Sequence, residues 1–135
     1  MLDAATAPYG VLLLRVALGV LFIAHMSVKL FVFKPSGTAK YFASLGVPGW
    51  MGPLTIFVEA VGGVCLILGI VPRYAAIALL PTMFGTIALV HGKNGWMFNN
   101  AGGGWEYPAF WAVALIVLAL LGDGAAALVP SASLF

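Results

Sequence analysis

Charge is what this chain has least of: six Lys and Arg, four Asp and Glu and two His among 135 residues, 7% charged in all. A water-soluble domain carries about 25%, so that class is excluded. The net charge of +2, spread over loops and helix ends, also leaves no nucleic-acid face and no polybasic lipid anchor. Cysteine is limited to Cys65, which rules out an intrachain disulfide and electron shuttling through a dithiol within the chain. By default Cys65 is a small buried hydrophobe. Nor is there a haem ligand pair at recognised spacing, a dinucleotide fingerprint or an iron–sulfur cysteine set, so no haem, flavin or nicotinamide motif is present.

What remains is apolar. Hydrophobic residues make up 63% of the chain and its mean hydropathy is +1.11, which predicts an all-α integral membrane protein whose chief partner is the lipid bilayer. At about 20 residues per span, the length holds a single domain of four transmembrane helices, over about 8–33, 50–70, 74–92 and 106–124. These form an antiparallel bundle with two longer loops on one side. The first run carries Arg15 and lacks a basic flank, so it reads as a retained span rather than a signal peptide. Lys34-Pro35-Ser36-Gly37 ends it, and Thr38 to Leu45 then reads as a short amphipathic helix with Tyr41, Phe42 and Leu45 on the bilayer surface. Pro81 interrupts the third span, where it removes one backbone hydrogen bond. The fourth span, apolar from Pro108 to Leu121, is short for a bilayer of about 30 Å. Lys34, Lys40 and Lys93 on the long-loop side outnumber Arg73 opposite, which favours cytoplasmic long loops.

Against this background the ionisable residues inside apolar runs stand out, because a charge at the bilayer centre costs roughly 2.5–3.5 kcal/mol on insertion scales. Arg15, Phe22 and Lys29 fall within about 40° on the first helix, with His25 one turn from Lys29. Glu59 lies at a depth within about 5 Å of His25, and Ala60, Gly62 and Gly63 around it allow close helix approach. His25, Lys29 and Glu59 are the candidate catalytic residues. His91, Trp96, Trp105 and Glu106 are candidate ligand-binding residues near the same surface. Each has a structural alternative. Glu59 can glue the bundle through His25 or Arg15; His91 and Glu106 complement helix dipoles; the Trp residues and Tyr107 anchor at headgroup level, and Trp111 can face lipid, while around a pocket these aromatic rings can also stack on a flat ring. Arg15 and Arg73, in the opposite half, read as structural polar residues. Two His and two carboxylates allow a metal ion, but nearby Lys29 opposes a cation and no ligand motif occurs, so no metal is assigned.

The run Leu12-Leu13-Leu14-Arg15, with Gly19, Phe22, His25 and Lys29-Leu30-Phe31, resembles the opening of the DoxX family of small membrane proteins. Tyr41-Phe42 and Leu45-Gly46-Val47-Pro48 are similar to its first loop. Glu59 with Gly62-Gly63, Arg73 with Ala75-Ala76, His91, and Gly102-Gly103-Gly104-Trp105-Glu106-Tyr107-Pro108 are similar to its later parts. The resemblance implies a four-helix protein of the prokaryotic plasma membrane, described as an oxidoreductase and named for quinone-dependent sulfur oxidation. It marks Arg15, His25, Lys29, Glu59, Arg73, His91 and Glu106 without individual roles. Met26 stands where many members have glycine. The leading expectation is a quinone-linked oxidoreductase component. The alternatives are a small-anion or metal-ion binding or transport module, and a membrane anchor for a soluble redox enzyme. A soluble redox protein and a second copy of the chain are the candidate protein partners.

Overall fold

The computed structural model describes residues 3–132, and among these all regular structure is helical apart from a single bridge between Ile70 and Val129. Helix α1 covers Ala7–Ser27 and runs on through a π-helical turn, Val28–Val32. Helix α2 is Lys34–Ser44, α3 is Met51–Leu68, and α4 is Pro72–Thr86, extended by a second π turn, Ile87–His91, and a 3₁₀ turn, Gly92–Asn94. Helix α5 is Glu106–Leu121. Three of these stretches, Ala7–Val32, Met51–Leu68 and Pro72–Asn94, are long and apolar enough to cross a membrane, and α5 is a shorter apolar helix. At 1.5 Å per residue α5 rises only about 24 Å.

Contacts fix the directions. Arg15 reaches Leu66 and Ile67 while Lys29 reaches Glu59, so α1 and α3 are antiparallel. Arg73 reaches Ala119 and His91 reaches Tyr107, so α4 and α5 are antiparallel too. The α1–α3 seam is tight because it is built on glycine. A Cβ on Gly19 would stand 2.7 Å from the Gly63 carbonyl oxygen, and one on Gly63 would stand 2.9 Å from Ile23. Phe22, Leu66, Leu79, Leu115 and Leu118 are fully buried at the centre. Leu13, Phe57, Phe84, Phe110 and Leu120 point outward and are exposed. A soluble monomer rarely shows such a continuous apolar exterior; a lipid environment requires it.

Two local readings change. Lys34-Pro35 begins a helix rather than only ending one: Pro35 sits in the first turn of α2, where its fixed φ is pre-organised and its missing N–H costs nothing. The break itself is one residue wide, with Lys34 at φ +62°. Tyr41, Phe42 and Leu45 then border a partly open cavity. Trp111 is the second change. It is 8% exposed and packs against Phe22 and His25, because α5 turns that face toward α1 rather than toward lipid.

Candidate functional site

The two ends of the bundle use their charges differently. At the short-loop end, a helix leaves its last four carbonyls without donors, and the chain accounts for those of α3 one by one. The Cys65 carbonyl accepts from the Gly69 and Ile70 amides, with Gly69 at φ +70° closing the turn. Leu66 and Ile67 accept from Arg15 Nη1, both at 2.8 Å, and Leu68 accepts from the Leu128 amide. Arg15, 0% exposed, spends Nη2 on Ala125 and Ala126 at 2.9 and 3.0 Å. It thereby fastens the segment after α5 beneath α3. Arg73 donates to the Ala119 carbonyl at the end of α5 at 3.0 Å. Both arginines therefore meet carbonyl oxygens rather than a cavity.

At the long-loop end the polar groups face an opening of about 270 Å³. The Lys29 ammonium lies 2.6 Å from each oxygen of Glu59. Glu59 is 2% exposed and the Lys29 side chain 24%. His25 borders the same cavity, its ring edge-on to Trp111 with centroids 4.9 Å apart. His91 closes it from α4: Nδ1 donates to the Gly103 carbonyl at 2.8 Å, and in the neutral ring Nε2 accepts from the Tyr107 hydroxyl at 2.6 Å. The structure thus brings together Lys29, Glu59, His25 and His91. Trp96 and Trp105 stack edge-to-face on each other at 4.5 Å, in the loop beyond the cavity wall. Glu106 accepts from the Phe98 amide at 3.0 Å and orders that loop against the start of α5. Among the described residues, no three His, Cys, Asp or Glu side chains gather as a metal-binding group.

Local backbone geometry explains how Lys29 and His91 reach this space, since each lies in a π turn. An i→i+5 bond, such as Phe33 N–H to Val28 O at 3.0 Å, inserts an extra residue into the turn and re-aims its side chains; such bulges recur at functional sites. The Lys29 carbonyl is met instead by the Thr38 hydroxyl at 3.1 Å, which also lies 3.1 Å from the Lys34 carbonyl. Several wall residues escape a search for charges: Thr55, Thr82, Thr86, Tyr107 and Trp111. Helical spacing was the available signal, since Thr55 lies one turn before Glu59 and Tyr107 one turn before Trp111.

The sequence profile of the DoxX family matches residues 10–92, more than half of the chain. The chain belongs to the DoxX family. A Bacillus subtilis (strain 168) protein named "Putative oxidoreductase CatD" is 32% identical over 121 residues, 90% of this chain and 85% of that protein. The inner membrane protein YqjF of Escherichia coli (strain K12) is 34% identical over 94 residues, 66% of this chain and 71% of that protein. No solved structure matches the chain significantly. With its apolar helices, this DoxX protein is a multi-pass protein of the cell membrane. The matched region holds Arg15, His25, Lys29, Glu59, Arg73 and His91, whereas Trp96, Trp105, Glu106, Tyr107 and Trp111 lie beyond it.

Proposed function

We propose that this DoxX protein is a quinone-linked component of a membrane oxidoreductase, with the long-loop cavity as its ring site and α5 as the fourth span. A bound quinone supplies two-electron, two-proton redox chemistry. Lys29 and His25 donate hydrogen bonds to ring oxygens, Glu59 holds or releases the accompanying proton, and Trp111 with Phe42 excludes water from the ring faces. The observation that supports this reading is a buried ammonium–carboxylate pair bordering a mostly apolar, aromatic-walled opening inside a lipid-facing bundle. Oxygen donors, a proton carrier and a flat slot are what a quinone head needs. The name of the Bacillus subtilis relative, an oxidoreductase, agrees in reaction class. Electrons come from a partner protein or from the bound substrate itself, because the chain carries no redox-cofactor motif.

Purified protein in lipid nanodiscs should bind a quinone analogue with micromolar affinity, read by quenching of Trp fluorescence and weakened in Lys29→Met and His25→Phe. Micromolar binding is about 8 kcal/mol, within reach of two charge-assisted hydrogen bonds and apolar burial after binding costs. Unchanged affinity in both folded variants would move the function to membrane anchoring of a soluble redox enzyme, tested by co-purification.

A further inference from the structure

Most hydroxyl hydrogens on the cavity wall are already committed. Thr55 donates to the Met51 carbonyl at 2.8 Å, Thr82 to Leu79 at 2.7 Å and Thr86 to Thr82 at 2.8 Å. A hydroxyl has one hydrogen and two lone pairs, so all three side-chain oxygens have only lone pairs left for a ligand. Tyr107 spends its O–H on His91 Nε2 and likewise turns acceptor-only. Glu59, ionised against Lys29, is acceptor-only by nature. On the donor side, Lys29 keeps one of its three N–H bonds after two go to Glu59, and the indole N–H of Trp111, a lining residue, is buried without a partner. The His25 ring and exposed Tyr41 complete this short set of donors. The uncommitted polar capacity of the wall is therefore mostly lone pairs.

We infer that the site selects a ring bearing O–H donors, a hydroquinone or related phenol, over the oxidised quinone, whose oxygens only accept. This rests on the ring-site reading above and adds the oxidation state. A quinone oxygen placed beside Glu59, Tyr107 or a Thr oxygen leaves acceptor facing acceptor, with each group stripped of water and unpaired. A hydroquinone satisfies the carboxylate with its O–H while its oxygen still accepts from Lys29 or His25. Charge agrees with this choice. The cavity holds one cation and one anion in contact, so a neutral donor leaves it balanced, whereas a bare anion or cation does not. Size restricts the ligand further: about 270 Å³ falls just below the usual range of about 300–1,000 Å³ for small-molecule pockets, which suits one ring and leaves any isoprenoid tail in lipid. The same head chemistry arises from a lipid quinol or from a free phenol.

The test compares tetramethylhydroquinone, tetramethylquinone and the dimethyl ether of the hydroquinone, anaerobically, on wild-type protein in phosphatidylcholine nanodiscs. Full methylation blocks covalent addition to the protein. The hydroquinone should bind at least about tenfold tighter than the quinone, equivalent to a positive shift of about 30 mV in the bound two-electron couple, and the ether should bind no better than the quinone. Decyl-tailed quinol and quinone form the second arm: a gain over the tailless pair at equal concentration in the bilayer identifies a lipid quinol, and no gain identifies a free phenol. Glu59→Gln, which adds a donor, and Thr86→Val, which removes an acceptor, should each shrink the preference. Equal affinities, tighter quinone binding, or a preference unmoved by both substitutions overturns the donor requirement and leaves the ring site standing. Failure of every probe to saturate overturns the ring site as well.

Discussion

Removing the ammonium of Lys29 while keeping an apolar stem, as in Lys29→Met, strands the Glu59 carboxylate. Lys29 Nζ lies 2.6 Å from both carboxylate oxygens, and no other group bonds Glu59 among the described residues. With Glu59 2% exposed, water does not replace the lost partner. Breaking a buried pair from one side costs about 3–5 kcal/mol, against about 1 kcal/mol or less for an exposed pair. Replacing both partners with apolar side chains is often neutral, so Lys29→Met combined with Glu59→Leu should regain most of the loss. The assay is thermal unfolding in one detergent at neutral pH, followed by the folded fraction on size exclusion. By the scaling of soluble domains, 3 kcal/mol in a chain of this length corresponds to about 10 °C. The double variant should recover stability without recovering ligand binding, since neither ammonium nor carboxylate remains. A single variant as stable as wild type, or a double variant no better than the single, refutes the argument that these charges are coupled and desolvated.

Arg15→Met should cost a similar 3–5 kcal/mol or so, because four carbonyls lose their donors at once; amide exchange over residues 122–132, by mass spectrometry, should rise while ligand affinity of the folded fraction stays unchanged. Tyr107→Phe leaves His91 Nε2 without a donor, with an expected loss of about 1 kcal/mol and faster exchange in residues 95–105. Gly19→Val forces a Cβ to within 2.7 Å of the Gly63 carbonyl and of Ile67, and should destabilise by about 1–3 kcal/mol while weakening ligand binding as α1 and α3 separate. Gly10→Ala, with nothing within 4 Å of the new methyl, is the matched control and should be neutral or stabilising by up to about 1 kcal/mol.

Helical phase made the long-loop cluster legible before any coordinates. The angular positions of His25 and Lys29 on α1 depend only on local helical geometry, and the scarcity of charge picked out Glu59 as the carboxylate at matching depth. The same scarcity marked Arg15 and Arg73, yet not what they bind, since orphan carbonyls occur at every helix end and leave no residue-type trace. The π turns were illegible for a related reason: Val28–Val32 and Ile87–His91 look like ordinary apolar helix, and no residue type in them marks the shift to i→i+5 bonding. The lipid-facing option for Trp111 stays open in the sequence because a helix apolar all round does not declare which face turns inward. That choice is made by α1, in the contacts of Trp111 with Phe22 and His25.

The partition of charge between the two ends carries a consequence for function. Arg15 and Arg73 meet backbone carbonyls, which cannot take up a proton at any accessible pH, so those contacts are fixed once the chain folds. Lys29 meets a carboxylate, which can be neutralised by one proton, and a cavity rather than backbone lies on its open side. On the proposed ring-site reading, the pair is therefore the point in the bundle where a ligand O–H would meet a carboxylate whose charge is already balanced. The close glycine seam of α1 and α3 is what lets the two helices approach so that Lys29 and Glu59 meet at 2.6 Å.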